Sequence, residues 1–460
     1  MFNIQFSMLN VQLKDKFVFC LLPIACCLLA ISCSIQQKIS KSAQKVIKDT
    51  SLLTAHVGIS IYEPESAKYW YNHQGDKYFV PASNTKIPTC YVAMKYLGDS
   101  LKCFLASEND TLLLITPAGD PSFLHRDFKS QPAFDYLKRS DKKIYATDLT
   151  WKSESLGSGW SWNDYNEGYM AERSPMPVYG NVLKWVQEKE TSNNLESIVI
   201  YSIPEINWAV NFSDVNAKSL AVKRKMGANE FELIQGKEDH KELDVPFLTH
   251  GIKSANELLI DTLKRSITLI NQDLLNRLFK KGELVSRVVK SQPTDSLLKP
   301  MMHRSDNFFA EQSLLMVSNE RLGVMNDEKI IDTLLKTDFK DLPQRPRWAD
   351  GSGLSRYNLF TPQDFVSILN KMKNEFGMER IKVIFPTGGE GTISSYYKAD
   401  SNYIFAKTGT LSGVVALSGF LYTKKGKLLI FSTLVNNHQA SSTAVRRAVE
   451  KFIEGIRNKY

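Results

Sequence analysis

The sequence predicts a mixed α/β fold of the α+β type, in which an antiparallel sheet and a helical subdomain are split along the chain by a β-rich insertion. Alternating apolar residues at 56–62, together with three strand-like runs between 404 and 435, indicate the strands of one sheet. Helical periodicity occurs at 87–97 and within 254–323. Between about 100 and 253, short strand-like runs alternate with polar turns, which is typical of an inserted β-rich region.

The first elements lead the chain to Ser83. A strand is predicted at His56–Tyr62, and two more strand-like pieces at Lys68–Tyr71 and Lys77–Val80 end at Pro81. A helix over Ile87–Leu97 follows, since Pro88 falls in its first turn, where proline is tolerated. Ser83 therefore lies at the start of a helix.

The closing segment is the most regular part of the chain. Strands are predicted at Ile404–Phe405, Val414–Tyr422 and Lys427–Val435, with a turn at Lys424–Gly426 and a helix over Thr443–Ile456. The predicted divisions are a leader (1–33), the first part of the main domain (40–99), the insertion (100–253) and the second part of the main domain (254–460).

Composition indicates a chain with at least one large core. Of 460 residues 43% are apolar, and 58 basic against 49 acidic residues leave a net charge of +9. No run of five or six like charges occurs, which argues against a nucleic-acid-binding arm. The sequence therefore predicts no nucleic-acid partner.

The N-terminus is typical of an exported protein. Lys14 and Lys16 precede an apolar run, Phe17–Cys33, which reads as a signal peptide. Its end, Ala30-Ile31-Ser32-Cys33, resembles a lipobox, and cleavage there would leave Cys33 to carry lipid. An uncleaved anchor stays open, because about 17 apolar residues can just span a bilayer. We expect a periplasmic or cell-envelope protein, soluble or lipid-anchored.

The remaining cysteines and the histidines predict no metal centre. Outside the leader only Cys90 and Cys103 occur, and they could form a disulfide or remain two buried thiols. The seven histidines show no metal-ligand spacing. We expect no metal and no cofactor.

Three short motifs occur in one order: Ser83-x-x-Lys86, Ser305-Asp306-Asn307 and Lys407-Thr408-Gly409. Alone the first is weak evidence, because the same spacing recurs at other serines of the chain, Ser42, Ser140 and Ser296. The context raises its weight. The first motif opens a helix, the second precedes one and the third lies on a strand.

The first two motifs suit nucleophilic catalysis. A serine hydroxyl needs a neighbouring base near neutral pH, and Lys86 can act as that base only when neutral. Burial and a second cation, Lys407, would lower its pKa. Ser305 can relay the proton to a leaving amine, and the backbone N–H groups of Ser83 and Thr410 can form an oxyanion hole.

The other motif residues suit substrate binding. The amide of Asn307 can bind a peptide backbone, and Lys407 and Thr408 can hold a terminal carboxylate. Gly409 lets a peptide lie close to the strand, so that the substrate binds along Gly409–Thr410 as an added strand.

The chain resembles the low-molecular-mass penicillin-binding proteins that act as D-Ala-D-Ala carboxypeptidases and endopeptidases, in the branch with a long insertion. The resemblance runs from about His56 to the C-terminus. It is carried by Pro81–Lys86, Gly119-Asp120-Pro121, Trp160-Ser161-Trp162, Arg304–Glu311, Asp350–Ser355 and Lys407–Thr410. One departure is Thr116-Pro117-Ala118 where that family has a glycine-rich lead-in.

The resemblance implies a β-lactamase/transpeptidase-like domain that acts on peptidoglycan stem peptides through an acyl-enzyme and is inhibited by β-lactam antibiotics. Two alternatives remain. A β-lactamase is disfavoured because Ser83 and Ser305 are 222 residues apart and no added carboxylate for fast deacylation is evident. A catalytically silent cell-wall-binding or sensor lipoprotein is disfavoured by the intact motifs.

For two further features, a purely structural interpretation stands beside the functional one. Asp350–Ser355 is either a simple turn or a loop that shapes the site. Trp160 and Trp162 are expected to pack inside the protein rather than to stack on substrate.

Overall fold

The computed structural model describes residues 39–44, 46–192, 195–215, 217–278 and 284–460. The leader predicted at 1–33, with Cys33, lies outside the described residues.

Helices and strands occur throughout the described part of the chain. The α-helices are α1 (Lys86–Tyr96), α2 (Pro132–Arg139), α3 (Lys253–Leu263), α4 (Gln272–Leu278), α5 (Thr294–His303), α6 (Asn307–Leu322), α7 (Asp327–Lys336), α8 (Pro362–Ile384) and α9 (Ser442–Lys459). The strands are β1 (His56–Glu63), β2 (Lys68–His73), β3 (Ser100–Glu108), β4 (Leu112–Pro117), β5 (Lys143–Ala146), β6 (Val182–Ser192), β7 (Leu195–Ile203), β8 (Ala209–Phe212), β9 (Ala221–Arg224), β10 (Glu230–Ile234), β11 (His240–Pro246), β12 (Ile267–Leu269), β13 (Val285–Pro293), β14 (Ile404–Leu411), β15 (Val414–Tyr422) and β16 (Leu428–Asn436). Residues 39–44 and 46–47 are also helical.

The main sheet joins both ends of the chain in the order β14-β15-β16-β1-β2, with antiparallel neighbours. Its two faces are both covered, and successive residues of β15 show this: Ala416 and Phe420 belong to one apolar core, with Leu417 and Leu421 in the other. The first core contains α1, α5, α6 and α8, and the second contains α9. This two-sided burial explains why β15 is apolar at nearly every position.

The insertion has its own core and sheets, ordered β11-β6-β7, β8-β10-β9 and β12-β5-β4-β3-β13. The last of these crosses the limit predicted at residues 253–254, because β13 pairs antiparallel with β3, with Val289 opposite Phe104. The expected run of helices over 254–323 is therefore interrupted by two strands. The domain limits themselves stay predictions.

The approach to Ser83 differs from the prediction at one segment. Lys77–Val80 is not a strand; only an isolated bridge joins Phe79 to Phe360. Ser83 lies at the start of a helix, as predicted, in a 3₁₀ turn, Ala82–Thr85, that runs into α1. Ala82 has a φ of 48°, a left-handed conformation that non-glycine residues adopt rarely.

The remaining cysteines are two free, buried thiols, Cys90 and Cys103. Burial raises the pKa of both. Among the described residues, no helix combines the length and apolar character needed to cross a bilayer.

Candidate active site

Lys86 lies at the centre of the site. Its side chain is fully buried at the start of α1, and its Nζ donates to Ser83 Oγ (3.1 Å), Asn307 Oδ1 (2.6 Å) and the Ser352 carbonyl oxygen (2.7 Å). The three-residue spacing within the turn puts Ser83 and Lys86 on one side. The helical turn thus joins a half-buried hydroxyl to a buried amine.

Burial lowers the pKa of Lys86 to about 8, because the protein interior disfavours the charged form. The neighbouring carboxylates of Asp350, Glu311 and Asp306 oppose this shift. A substantial fraction of the amine is therefore neutral at mildly alkaline pH.

The second motif begins α6. Asp306 caps the helix by accepting from the Phe309 N–H (3.0 Å), which sets Asn307 in the first turn. Ser305, with a φ of 63°, accepts from Lys407 Nζ (2.8 Å). Asn307 Nδ2 donates to the carbonyl of Tyr169 (3.0 Å), so the second motif also contacts the inserted region.

The third motif lies on β14, an edge strand of the main sheet. Lys407 is fully buried, and burial, reinforced by Lys86 and Arg446, holds its pKa well below the usual range. Thr408 Oγ1 donates to Thr392 (2.8 Å), and Thr410 Oγ1 accepts from Arg446 of α9.

Gly409 marks the closest approach of β14 to the nucleophile turn. A Cβ at this position would lie 2.5 Å from the Pro81 carbonyl oxygen and 3.1 Å from the Ser83 nitrogen. The strand backbone therefore passes directly beside Ser83, and only glycine permits this separation.

These motifs border a cleft of about 640 Å³. The cleft is lined by residues of the first two motifs, by residues that directly follow the third motif, by the inserted region and by the Asp350 loop: Ser83, Gly159, Trp160, Ser161, Asp164, Tyr169, Met170, Ser305, Asn307, Gly353, Leu354, Arg356, Thr410, Leu411 and Ser412. Lys86 and Lys407 are buried behind Ser83 and Ser305. Of the predicted site residues, Ser83, Ser305, Asn307 and Thr410 line the cleft, and the Gly409 backbone lies beside Ser83. Thr408 is not among the lining residues, and its hydroxyl donates to Thr392.

The loop Asp350–Ser355 contacts the site. It is therefore a loop that shapes the site and not a simple turn, the other interpretation that the sequence allowed. The buried Asp350 carboxylate accepts from Gly353 N (2.8 Å), Ser355 N (2.7 Å), Asn358 Nδ2 (2.7 Å) and Trp160 Nε1 (3.0 Å). It thereby holds the turn that presents the Ser352 carbonyl to Lys86.

The sequence did not predict the role of some residues at the site, and it predicted one role wrongly. The packing role expected for Trp162 is wrong, because its side chain is 73% exposed, whereas Trp160 lines the cleft. Sequence reasoning missed the buried ion pair of Arg173 and Glu311. The signal that could have found it is a carboxylate four residues after Asn307 on the same helix. In the described residues no cluster of His, Cys, Asp or Glu suited to a metal occurs.

Gly353→Ala is expected to destabilise the protein and to impair acylation of the site serine. Gly353 has a φ of 89°, and an added Cβ would overlap the Ala82 carbonyl oxygen next to the nucleophile. We expect a loss of roughly 2–4 kcal/mol, the sum of the left-handed strain and this overlap, measured by urea unfolding.

Gly323→Ala is the matched control. Gly323 also has a positive φ (69°), but nothing lies within 4 Å of its Cβ position. It should cost only about 1 kcal/mol. Equal losses in the two variants would contradict close packing of the loop on the Ser83 turn.

Comparison with known proteins agrees with this architecture. The D-alanyl-D-alanine carboxypeptidase DacB of Haemophilus influenzae is 26% identical over 433 residues, covering 85% of this chain and 87% of that protein. A D-alanyl-D-alanine carboxypeptidase of Actinomadura sp. (strain R39) is 24% identical, covering 90% and 84%.

A solved structure and a family model extend the comparison. The crystal structure of penicillin binding protein 4 (dacB) from Haemophilus influenzae superposes with a TM-score of 0.70 at 21% identity, covering 92% of this chain and 98% of that one, and confirms the predicted fold class. The model of the D-Ala-D-Ala carboxypeptidase 3 (S13) family matches residues 39–459. The chain belongs to the D-Ala-D-Ala carboxypeptidase 3 (S13) family.

Proposed function

We propose that the chain is a serine D-Ala-D-Ala peptidase that cleaves peptidoglycan stem peptides through an acyl-enzyme on Ser83. The observation that carries the proposal is the hydrogen bond of 3.1 Å between Lys86 Nζ and Ser83 Oγ at the cleft. Two relatives named as D-alanyl-D-alanine carboxypeptidases support the substrate class.

In the first step, Ser83 Oγ attacks the carbonyl carbon of the penultimate D-alanine while its proton passes to neutral Lys86. The new oxyanion accepts from the backbone N–H groups of Ser83 and Thr410. The close approach of Gly409 to Ser83 supports this arrangement.

In the second step, the peptide C–N bond breaks, and the amine of terminal D-alanine takes the proton from Lys86 through the Ser305 hydroxyl. Because Ser305 Oγ accepts from Lys407, its own hydrogen is available to the leaving amine. Water then hydrolyses the ester and frees Ser83.

The substrate lies along β14 as an added strand. The outer edge of β14 is covered at Phe405–Ala406 by a bridge to Thr387 and a bond to Pro386, and Lys407–Thr410 follow this cover. The terminal carboxylate of the peptide binds Lys407 and Thr408, and its negative charge favours the ammonium form of Lys407. The Asn307 amide binds the peptide backbone.

The test is digestion of purified muropeptides followed by mass analysis. Release of terminal D-alanine indicates carboxypeptidase action, and cleavage of cross-linked dimers indicates endopeptidase action on the same bond type. Mass analysis of penicillin-treated protein should place the adduct on the peptide that contains Ser83. Neither product, despite a Ser83 adduct, would favour a silent binding protein.

The peptidase is favoured over a β-lactamase by the surroundings of Lys86. Its hydrogen-bond partners among the described residues are a hydroxyl, an amide oxygen and a carbonyl oxygen, and none is a carboxylate that could activate the deacylating water. High turnover of a chromogenic cephalosporin would reverse this preference.

The acylation rate is expected to rise with pH and to level off near 8. Only the neutral amine accepts the Ser83 proton, and burial places the pKa of Lys86 at about 8. Each pH unit below this value lowers the neutral fraction about tenfold. Penicillin acylation rates between about pH 5.5 and 10 measure it; a flat profile would contradict a neutral lysine base.

We also propose that the protein is exported and carries a lipid on Cys33, on the basis of the apolar run before Ala30-Ile31-Ser32-Cys33. Incorporation of an alkyne fatty acid, compared with Cys33→Ser, tests the anchor. Equal incorporation in both would contradict it.

A further inference from the structure

Glu311 touches the main chain that holds Lys86. It lies on α6 with 1% of its surface exposed, and its Oε1 accepts from the Ser352 N–H (2.7 Å). The carbonyl of the same residue, Ser352, accepts from Lys86 Nζ (2.7 Å). Ser352 therefore bridges a buried carboxylate and the buried amine.

One face of α6 positions two of the three hydrogen-bond acceptors around Lys86 Nζ. Asn307 and Glu311 are four residues apart on α6 and so point to the same side. Asn307 supplies Oδ1 directly, at 2.6 Å, and Glu311 acts through Ser352. A shift of Glu311 would thus displace an acceptor of the amine without touching the amine itself.

The charge of Glu311 is balanced from the inserted region. Its other oxygen, Oε2, lies 3.4 Å from Arg173 Nη1, and the same nitrogen lies 2.7 Å from Asp327 Oδ2. The rest of the Arg173 guanidinium donates to the carbonyls of Glu154 and Leu156. A buried carboxylate without a cation is costly, so Arg173 is what makes an anionic Glu311 tolerable.

We infer that Glu311, paired with Arg173 of the inserted region, is a positioning residue that holds Ser352 and thereby orients the Lys86 amine toward Ser83. This inference rests on the proposed role of Lys86 as the base. The insertion would then have two functions at the site. It supplies Arg173, the cation that pairs with Glu311, and it forms one wall of the cleft.

The charges around the pair determine the sign of the effect. Glu311 faces Asp350, Arg173 and Asp327, and burial raises its pKa to about 7. Lys86 faces the carboxylates of Asp350, Glu311 and Asp306, which favour its ammonium form, and it also faces the buried amine of Lys407. Removing the Glu311 charge therefore lowers the pKa of Lys86.

The test compares Glu311→Gln with Glu311→Ala in penicillin acylation as a function of pH. Glu311→Gln removes the charge, so the acylation rate should begin to rise at lower pH. It keeps an oxygen for the Ser352 N–H, so the maximum rate at high pH, the plateau, should be nearly unchanged. Glu311→Ala loses the oxygen too, and its plateau should fall by about 10- to 100-fold, because a misplacement of about 1 Å can cost that much.

Glu320→Gln is the control, since Glu320 lies on the same helix but is partly exposed and paired with Lys102. Its profile should overlay the wild type. If Glu311→Gln does not fold, as judged by thermal melting, Glu311→Asp replaces it. That variant keeps the charge but reaches less far, so a wild-type plateau would overturn the inference.

The role of Glu311 and the role of Ser83 can be contradicted separately. This inference alone would be overturned if Glu311→Gln and Glu311→Ala both showed the wild-type pH profile of the acylation rate, while labelling still depended on Ser83. Labelling that does not depend on Ser83 would overturn the proposed function as well.

Discussion

Ser83→Ala is expected to abolish acylation by penicillin and release of D-alanine, with rates falling by roughly 10⁴- to 10⁶-fold, as for other single nucleophile deletions. Alanine offers no oxygen to form the ester. Folding should be almost unaffected, because Lys86 keeps its bonds to Asn307 and Ser352. Gel labelling, product analysis and thermal melting measure these effects.

Ser296→Ala is a matched control, because Ser296 and Lys299 share the spacing of Ser83 and Lys86 but Ser296 is exposed on α5. It should label like the wild type. Equal labelling of wild type and Ser83→Ala would remove Ser83 as the nucleophile, however well the motif is assembled.

Lys86→Met is expected to lower the acylation rate by about 10²- to 10⁴-fold, the usual contribution of a general base. Methionine approximates the length of lysine but accepts no proton. The variant should also lose about 1–3 kcal/mol of stability, since the partly buried Asn307 Oδ1 and the buried Ser352 carbonyl lose their donor. Acylation kinetics and urea unfolding measure the two effects.

Lys86→Arg separates base from charge. Arginine keeps a cation near Asp350 and Glu311 but does not release its proton near neutral pH, so this variant should also fail to acylate. Lys299→Met, at the exposed control motif, should be unaffected. Substantial activity in Lys86→Arg would show that charge, not proton transfer, is what the site requires.

Much of the fold could be predicted from local patterns. The antiparallel sheet followed from alternation in His56–Tyr62 and from the strand-like run Val414–Tyr422, and β15 has the predicted bounds. The β-rich insertion followed from its short runs. These features depend on neighbours within a few residues, which a sequence displays directly.

Strand partners could not be predicted in the same way. β3 opens the insertion and β13 lies beyond its predicted end at residue 253, yet the two strands pair, and periodicity cannot name a partner so distant in the chain. Lys77–Val80 had the composition of a strand, yet only Phe79 forms a bridge, because its neighbour there is a loop and not a sheet edge. Trp162 is exposed although tryptophan is usually packed.

Ser83 and its partners show the same division. By itself the sequence determined which residue types recur in order, and so which side chains to expect together: Ser83, Lys86, Ser305, Asn307 and Lys407. Their catalytic roles stay predictions. Only the tertiary structure decided what surrounds them, namely the Ser352 carbonyl on Lys86 and, behind it, Glu311 with Arg173. Burial and electrostatic compensation arise from segments far apart in the chain, and the pKa of Lys86 depends on both.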